Sequence, residues 1–329
     1  MHANTGLDLN RMFRTVVLTG SILSAIVHAK LYANTSTANH TCVLQTPIRS
    51  CSPASLNLGD LDTCCQETYG GLLLATQFWD TYTGYESQGQ LLPEKQWTVH
   101  GLWPDLCNGS YTQYCDLNRQ YDPNPSPAEI NGQTVPKYQG PGIDTFVRSA
   151  QKLDLLAWMN KYWVSQGQPN SDFWAHEFSK HATCYSTFDT PCYGEHHEEH
   201  ADVIDFFETV ARFHKRLSTY SWLEDAGIVP SNKTSYTLSD ITNALEKVTG
   251  AKPYIGCSGP RNNETSGGNQ NDHGFTVLSE VWYFYNVAGR PQDGHTYAVD
   301  SSTDSTCSSA SGAIKYYERT PSSEQKARM

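Results

Sequence analysis

Hydrophobic runs in the first third of the chain predict two neighbouring strands. Leu72 to Trp79 is almost continuously hydrophobic, which is typical of a buried strand. Trp97 to Leu102 alternates and contains β-branched residues, which favours a second strand. Gly101 and Pro104 then break the pattern, so we expect His100 to lie near a strand end, facing a loop.

Later stretches place hydrophobic residues at helical spacing. These stretches are Ile143 to Trp163, Ala201 to Leu217 and Ser239 to Val248, the last with Ser239 as a possible N-cap. Val277 to Val287 alternates around bulky aromatic residues and predicts a late strand. Because the strands are scattered among helices without a βαβ rhythm, we expect an α+β fold with a central antiparallel sheet flanked by helices.

Proline and glycine mark the connections between these elements. Asp122 to Pro127 is rich in proline and Arg261 to Gly274 is rich in glycine and asparagine, so both are predicted to be exposed loops. No internal repeat or domain boundary is visible, and the polar residues after Thr320 are expected to be frayed. The sequence therefore predicts one folded domain over residues 30–320 and a flexible tail over residues 321–329.

The run His176-Glu177-Phe178-Ser179-Lys180-His181 concentrates candidate chemistry in one short segment. On a helix, His176 and Lys180 lie roughly 40° apart, as do Glu177 and His181, because each pair is spaced i, i+4. The four side chains share one face and can surround an anionic centre with donors and acid–base groups. The two histidines are five residues apart, which does not suit a zinc helix, so we predict no metal site here.

A second histidine, His100, lies in the segment Trp97 to Asp105. An imidazole on a strand opposite an imidazole on a helix is suited to in-line phosphoryl transfer, since one accepts a proton while the other donates one. We therefore predict that His100 and His181 transfer protons while Lys180 and His176 bind the phosphate. We favour His181 as the base in the cleavage step, but the sequence leaves the order open.

The segments Trp97 to Asp105 and Phe173 to Tyr185, which contain these residues, resemble the catalytic segments of the ribonuclease T2 family, specifically its secreted fungal enzymes. The likeness runs from about Cys42 to about Thr320. It includes four further segments that are similar to the same family: Cys64-Cys65, Gln77-Phe78-Trp79, Trp222 to Pro230 and Val277 to Trp282. The resemblance implies an endoribonuclease that cleaves single-stranded RNA with little base specificity, first to 2′,3′-cyclic phosphates and then, more slowly, to 3′-phosphates. It implies no cofactor.

The resemblance also assigns roles to particular residues. It implies a catalytic set that comprises His100, His176, Glu177, Lys180 and His181. It places the upstream base against Trp103, Asp105 and Tyr111, where an aromatic shelf and a carboxylate suit stacking and an exocyclic amine. For the downstream base it implies Gln77, Phe173 and part of the stretch Trp163 to Gln168.

The ten cysteines suit a secreted domain with complete disulfide pairing, although their order alone leaves the connectivity open. The family resemblance implies five bonds: Cys42–Cys65, Cys51–Cys107, Cys64–Cys192, Cys115–Cys184 and Cys257–Cys307. In that case Cys115–Cys184 would tie the segment that carries His181 to the loop that follows His100.

The N-terminus predicts entry into the secretory route. Arg11 and Arg14 precede a short hydrophobic run, and we expect residues 1–29 to be a signal peptide cleaved near Ala29, with Ala33 as the alternative. A signal anchor is the competing interpretation. The destination is then extracellular or vacuolar, without a membrane segment in the mature protein. Five Asn-x-Ser/Thr sequons agree with this route: Asn34, Asn39, Asn108, Asn232 and Asn263.

The formal net charge is −11, and loss of the first 29 residues removes two basic residues and one acidic residue, which leaves −12. An acidic protein does not bind nucleic acid through counterion release, so RNA must be held locally by stacking and a few phosphate contacts. We expect a monomer that binds single-stranded RNA and does not cleave DNA, because DNA lacks the 2′-hydroxyl.

Two other functions compete with this hypothesis. One is a non-catalytic signalling or storage member of the same fold, but both imidazoles and Lys180 are present. The other is a secreted metallohydrolase built on Glu195 to His200, where His196 and His200 would be spaced i, i+4 on a helix. For that segment we favour a polar loop whose acidic residues precede a helix.

Overall fold

The computed structural model describes residues 40–56, 61–259 and 275–325. All of them belong to the compact unit Leu31–Met329. The expected signal peptide, the sequons at Asn34, Asn39 and Asn263, and most of the predicted loop from Arg261 lie outside the described residues. In the described part, no helix has both the length and the hydrophobicity that a membrane span requires.

A mainly antiparallel sheet forms the centre of the described unit, as expected for the α+β class. Its strands are β1 (Leu72–Phe78), β3 (Thr98–Asp105), β6 (Tyr254–Ser258), β7 (Thr276–Val287), β8 (Thr296–Val299) and β9 (Ile314–Lys315). The order is β3-β1-β7-β6; β8 also pairs with β7, and β9 pairs with it in parallel. Two small sheets, β2 (Leu92–Pro93) with β10 (Glu324–Gln325) and β4 (Glu129–Ile130) with β5 (Gln133–Thr134), lie outside it.

The helices are α1 (Ile143–Ser149), α2 (Leu153–Tyr162), α3 (Asn170–Lys180), α4 (Ala201–His214), α5 (Thr219–Asp225) and α6 (Leu238–Thr249). They cover one face of the sheet, where Phe178, Phe206 and Phe207 pack with Leu73 and Val281 in the main core. A smaller hydrophobic cluster occupies the opposite face, around Trp103, Tyr254 and Phe284. The functional side chains described below lie beside this second cluster.

Five disulfides bind the unit together: Cys42–Cys65, Cys51–Cys107, Cys64–Cys192, Cys115–Cys184 and Cys257–Cys307. These are the pairs that the family resemblance implies. Between β4 and β5 the chain turns through Asn131 and Gly132, both at positive φ and both exposed. An Asn-Gly pair in this conformation is the favoured two-residue hairpin turn, because its twist matches that of the strands.

Several expected boundaries are wrong. The strand predicted over Trp97 to Leu102 does not end there but continues through Pro104 to Asp105, because β3 is an edge strand, where a proline without an N–H is tolerated. The predicted helix Ile143 to Trp163 is two helices, separated where Gln151 adopts a φ of 57°. The N-cap of α6 is Thr237, whose side chain accepts a hydrogen bond from the Asp240 N–H, rather than Ser239.

Two segments that were expected to be exposed or frayed are partly buried or ordered. Asp122, expected in an exposed loop, is only 2% exposed. The expected tail is ordered in its first part, since β10 pairs with β2 and Ser323 is fully buried. Both differences arise from contacts with distant segments, which local composition does not report.

Candidate active site

A β-bulge directs His100 out of the sheet. Thr76 of β1 pairs with Gly101 and the next residue, Gln77, pairs with Val99, so His100 has no partner across the strand pair. A bulge of this kind turns a side chain and bends the strand. The His100 ring stacks on Phe78, with centroids 3.8 Å apart, and meets the Trp103 ring edge-on at 4.6 Å. Aromatic packing against Phe78 and Trp103 therefore contributes to the orientation of His100.

The two ring nitrogens of His100 face different carboxylates. Nδ1 is hydrogen-bonded to Oε1 of Glu280, which is on β7. Nε2 lies 3.6 Å from Oε1 of Glu177 on α3. Sequence reasoning missed Glu280, although a charged residue within the predicted strand Val277 to Val287 was a usable signal.

Helix α3 supplies the predicted cluster at its C-terminal end. Trp174 and Phe178 are buried in the core, which turns the side of the helix that carries His176 and Lys180 outward. Lys180 is the last helical residue and His181 is the C-cap. A cation in the last turn also interacts favourably with the helix dipole.

His181 is buried, with 7% of its surface exposed. Its ring stacks on Trp103, with centroids 4.8 Å apart and planes 18° apart. Burial lowers the pKa of His181 well below its usual value, and the nearby Lys180, His176 and His100 lower it further. His181 is therefore held in its neutral form.

Glu177 is almost fully buried, at 1% exposure. Trp103 Nε1 donates a hydrogen bond of 2.8 Å to its Oε2. The carboxylate thus faces the strand and His100. Trp103 belongs to β3, not to a loop, and its indole ring is packed between His181 and Trp282.

Asp122 holds His176. Its Oδ2 lies 2.8 Å from His176 Nδ1 and accepts a hydrogen bond of 2.9 Å from the Tyr114 hydroxyl. Burial and the Asp122 carboxylate raise the pKa of Tyr114, so its hydroxyl remains a donor. The partner of His176 is therefore a carboxylate from a distant loop rather than Lys180. Asp122 and Tyr114 were both missed from the sequence.

A covalent and hydrogen-bonded clamp joins this loop to the end of α3. The Tyr114 N–H donates to the Lys180 carbonyl at 2.9 Å, and the Cys115 N–H donates to Thr183 Oγ1 at 3.0 Å. The Cys115–Cys184 disulfide lies beside these bonds. The loop that follows β3 is thus fixed against the segment that carries His176 and His181.

The expected base-binding residues divide into those near the imidazoles and those away from them. Phe173 lies near the site, with its ring centroid 5.9 Å from that of His100. Asp105, at the end of β3, has its pKa raised to about 7 by burial, and Tyr111 is 62% exposed on the following loop. Gln77 is buried on the other face, where it accepts from Thr219 and donates to the Leu217 carbonyl. The structure does not bring Gln77 into the site.

Phe78, the neighbour of Gln77, takes the site-facing position because successive strand residues point to opposite faces. Phe78 and Phe173 line a cavity of about 490 Å³ together with Asp80 and the loop residues Ser165, Gln166 and Gln168. Trp163, at the start of the expected downstream stretch, is fully buried and donates from Nε1 to the His100 carbonyl.

The alternative metal segment is not helical. His200 adopts a φ of 65° immediately before α4, and its ring stacks on Phe146 at 3.7 Å. His196 and His200 therefore do not share a helix face. Among the described residues, one group has potential metal-ligand atoms close together, His40, Asp62 and Cys64, but the sulfur of Cys64 is bonded to Cys192.

Imidazoles, an ammonium and carboxylates that converge at the edge of a sheet are typical of enzymes that cleave phosphodiesters by acid–base catalysis. A sequence model of the Ribonuclease T2 family matches residues 70–310. The chain is 35% identical over 269 residues to Ribonuclease M of Aspergillus phoenicis, which covers 80% of this chain and 94% of that protein. It is 36% identical over 271 residues to Ribonuclease Trv of Hypocrea rufa, covering 82% and 96% of the two chains.

A solved structure agrees with these relatives. The crystal structure of Actibind, described as a T2 ribonuclease, matches with a TM-score of 0.61 and 32% identity, over 83% of this chain and 96% of that one. The chain belongs to the ribonuclease T2 family, and it is an endoribonuclease.

Proposed function

We propose that the protein is a secreted ribonuclease that cleaves single-stranded RNA, with little base specificity, by attack of a ribose 2′-hydroxyl on the adjacent 3′-phosphate. The products are a 2′,3′-cyclic phosphate and a 5′-hydroxyl, and slower hydrolysis then gives a 3′-phosphate. The observation that carries this proposal is the placement of two imidazoles from different elements, His100 on β3 and His181 after α3, against the one ring of Trp103.

His181 serves as the base in the cleavage step. A base must be unprotonated before the reaction, and burial together with neighbouring cations favours neutral His181. It accepts the proton of the 2′-hydroxyl as the bond from the 2′-oxygen to phosphorus forms. In the hydrolysis step the roles of the two histidines reverse.

His100 serves as the acid. The carboxylates of Glu280 and Glu177 face its two ring nitrogens. Its proton passes to the 5′-oxygen as the bond between that oxygen and phosphorus breaks.

Lys180 and His176 bind the non-bridging phosphate oxygens, since both are partly accessible on the outward side of α3. Asp122 fixes the ring of His176 for this contact. Glu177, held by Trp103, lies beside His100 and near the phosphate.

Asp105 and Tyr111, next to Trp103, form the upstream-base site, and the cavity lined by Phe78 and Phe173 takes the downstream base. Support for the second assignment comes from the size of the cavity and from its two aromatic walls. Aromatic stacking tolerates any base, which accounts for low base specificity.

The test is kinetic analysis of a dinucleoside phosphate with the wild type and three His→Phe variants. We expect His100→Phe and His181→Phe to lower kcat by several orders of magnitude while binding survives. His176→Phe should weaken binding and keep measurable turnover, because Lys180 shares the phosphate contact. Full activity of His100→Phe would contradict the scheme.

The chemistry of the products gives a second test. Cleavage that persists in EDTA and yields cyclic phosphates is expected, because the carboxylates Asp122 and Glu280 are engaged by imidazole nitrogens. DNA should not be cut. DNA hydrolysis at a comparable rate would overturn attack by the 2′-hydroxyl.

The remaining expectations concern the mature protein. We infer a signal peptide over residues 1–29, a single catalytic domain, a monomeric state and glycans on the sequons. Of the described sequons, Asn108 and Asn232 are exposed and so accessible to modification. N-terminal sequencing, native mass measurement and glycosidase treatment of the protein secreted from a fungal host test these points together.

A further inference from the structure

His100 presents two chemically different nitrogens, and only one can exchange a proton with substrate. Nδ1 is hydrogen-bonded to Glu280 Oε1. Nε2 lies on the other side of the ring, 3.6 Å from Glu177 and towards α3. A carboxylate on one imidazole nitrogen retains the proton there and leaves the other nitrogen for chemistry.

The sheet is built so that Glu280 meets this nitrogen. Glu280 pairs across the strands with Phe78, whose ring stacks on His100. Ser279, next to Glu280, has no partner in β6, because Gly256 pairs with Glu280 and Cys257 with Leu278. A second bulge thus lies beside Glu280, as the first lies at His100, and bulges redirect side chains.

Other charged groups face His100 from each neighbouring element. Glu177 approaches from α3, and Asp80, which follows β1, has its pKa raised to about 6, mainly by burial. His181 adds a second imidazole. Of these groups, Glu280 is the one hydrogen-bonded to Nδ1, and its side chain is only 16% exposed.

We propose that Glu280 is a positioning residue that fixes the Nδ1–H tautomer of His100 and aligns Nε2 with the leaving 5′-oxygen. This proposal rests on the proposed function. As the bond from the 2′-oxygen to phosphorus forms, the bond from phosphorus to the 5′-oxygen breaks. Nε2 donates its proton to that oxygen, and the Nδ1 proton remains in its bond to Glu280.

A comparison of leaving groups separates this role from a structural one. A nucleoside 5′-oxygen needs a proton to leave, whereas 4-nitrophenolate leaves without one. We expect Glu280→Gln to lower kcat by about 10- to 100-fold on a dinucleoside phosphate, with KM changed by less than about threefold. On uridine 3′-(4-nitrophenyl phosphate) the kcat of the same variant should fall by less than about threefold.

Asp122→Asn is the matched control, because Asp122 holds the Nδ1 of a different histidine, His176. It should raise KM and affect the two substrates equally. Equal losses on both substrates for Glu280→Gln, or full activity, would overturn the proposal. If the wild type does not cleave RNA, the proposed function itself fails, which is a distinct outcome.

A measurement on the unmutated protein keeps the proposal testable if the variant does not fold. The ¹⁵N shifts of the His100 ring, recorded at a pH where the ring is neutral, report which nitrogen carries the proton. We expect the proton on Nδ1. A proton on Nε2 would overturn the proposal whether or not activity is detected.

Discussion

Gly101 lies directly against the Glu177 and Trp103 side chains, so a single added methyl group should disable the active site. A Cβ at this position would overlap Glu177 Oε2 and Trp103 Nε1, the two atoms of the hydrogen bond that holds Glu177. The backbone of Gly101 is held at both its N–H and its carbonyl. The N–H donates a hydrogen bond to Thr76 Oγ1, and the carbonyl accepts one from the same Thr76 hydroxyl. The backbone therefore cannot easily move away, and Gly101→Ala should displace the two side chains.

The magnitude follows from what is lost. A hydrogen bond to a charged group contributes about 1.5–3 kcal/mol, and Glu177, at 1% exposure, has little access to water as a replacement. We expect the free energy of unfolding to fall by about 2–3 kcal/mol. Because Glu177 would leave its position 3.6 Å from His100, we expect kcat to fall about 10- to 100-fold, equivalent to about 1.4–2.7 kcal/mol.

Urea unfolding and initial rates on a dinucleoside phosphate measure the two effects. Gly142→Ala is a suitable control, because Gly142 has a φ of −71° and its nearest contact is the side chain of Asp144. In a Glu177→Ala background the Gly101 substitution should cost less than it does in the wild type, since Glu177 Oε2 is gone and only Trp103 Nε1 still obstructs the added methyl group. Wild-type turnover in Gly101→Ala, or an equal further loss in that background, would refute the reasoning.

Three further variants test other features of the site and its surroundings. Glu177→Gln should lower kcat more than it raises KM on a dinucleoside phosphate, and unchanged turnover would exclude Glu177 from catalysis. Asp105 has its pKa raised to about 7 by burial, so its carboxyl is neutral at pH 5. Asp105→Asn should then match the wild type in upstream-base preference at pH 5. In stability it should match the wild type only below about pH 4, where the carboxyl is protonated in both the folded and the unfolded state, and should become increasingly more stable than the wild type as the pH rises towards 7; a variant that instead loses stability relative to the wild type over this range would contradict the sign. Replacing Cys115 and Cys184 by Ala removes a disulfide that closes a loop of sequence separation 69. The free energy of unfolding should fall by about 4 kcal/mol, because the unfolded chain gains conformational freedom. A urea midpoint equal to that of the wild type would contradict this expectation.

Hydrophobic patterns predicted three of the six described strands of the main sheet, β1, β3 and β7, and did not predict β6, β8 and β9. The runs at Leu72 and Val277 became β1 and β7, because their side chains are buried by neighbours that any compact fold of this class supplies. The strand end that Gly101 and Pro104 were expected to cause was wrong. Pairing with β1 along the whole strand outweighs the local preference of Gly101 and Pro104.

The candidate catalytic side chains were easier to predict from the sequence than the residues that form hydrogen bonds to them. His176, Glu177, Lys180 and His181 lie in one short run, so their proximity is local. Glu280 is 180 residues from His100, and Asp122 is 54 residues from His176. Such contacts depend on strand order and loop path, which a single sequence does not encode as a pattern.

The hairpin turn at Asn131 and Gly132 has a consequence for exposure to proteases. Exposed loop tips of this type are preferred sites of cleavage. A cut between these residues would divide the chain into a part that carries His100 and a part that carries His176 and His181. Two disulfides, Cys64–Cys192 and Cys115–Cys184, cross the cut. A nicked protein would remain one covalent molecule with both halves of its active site tethered.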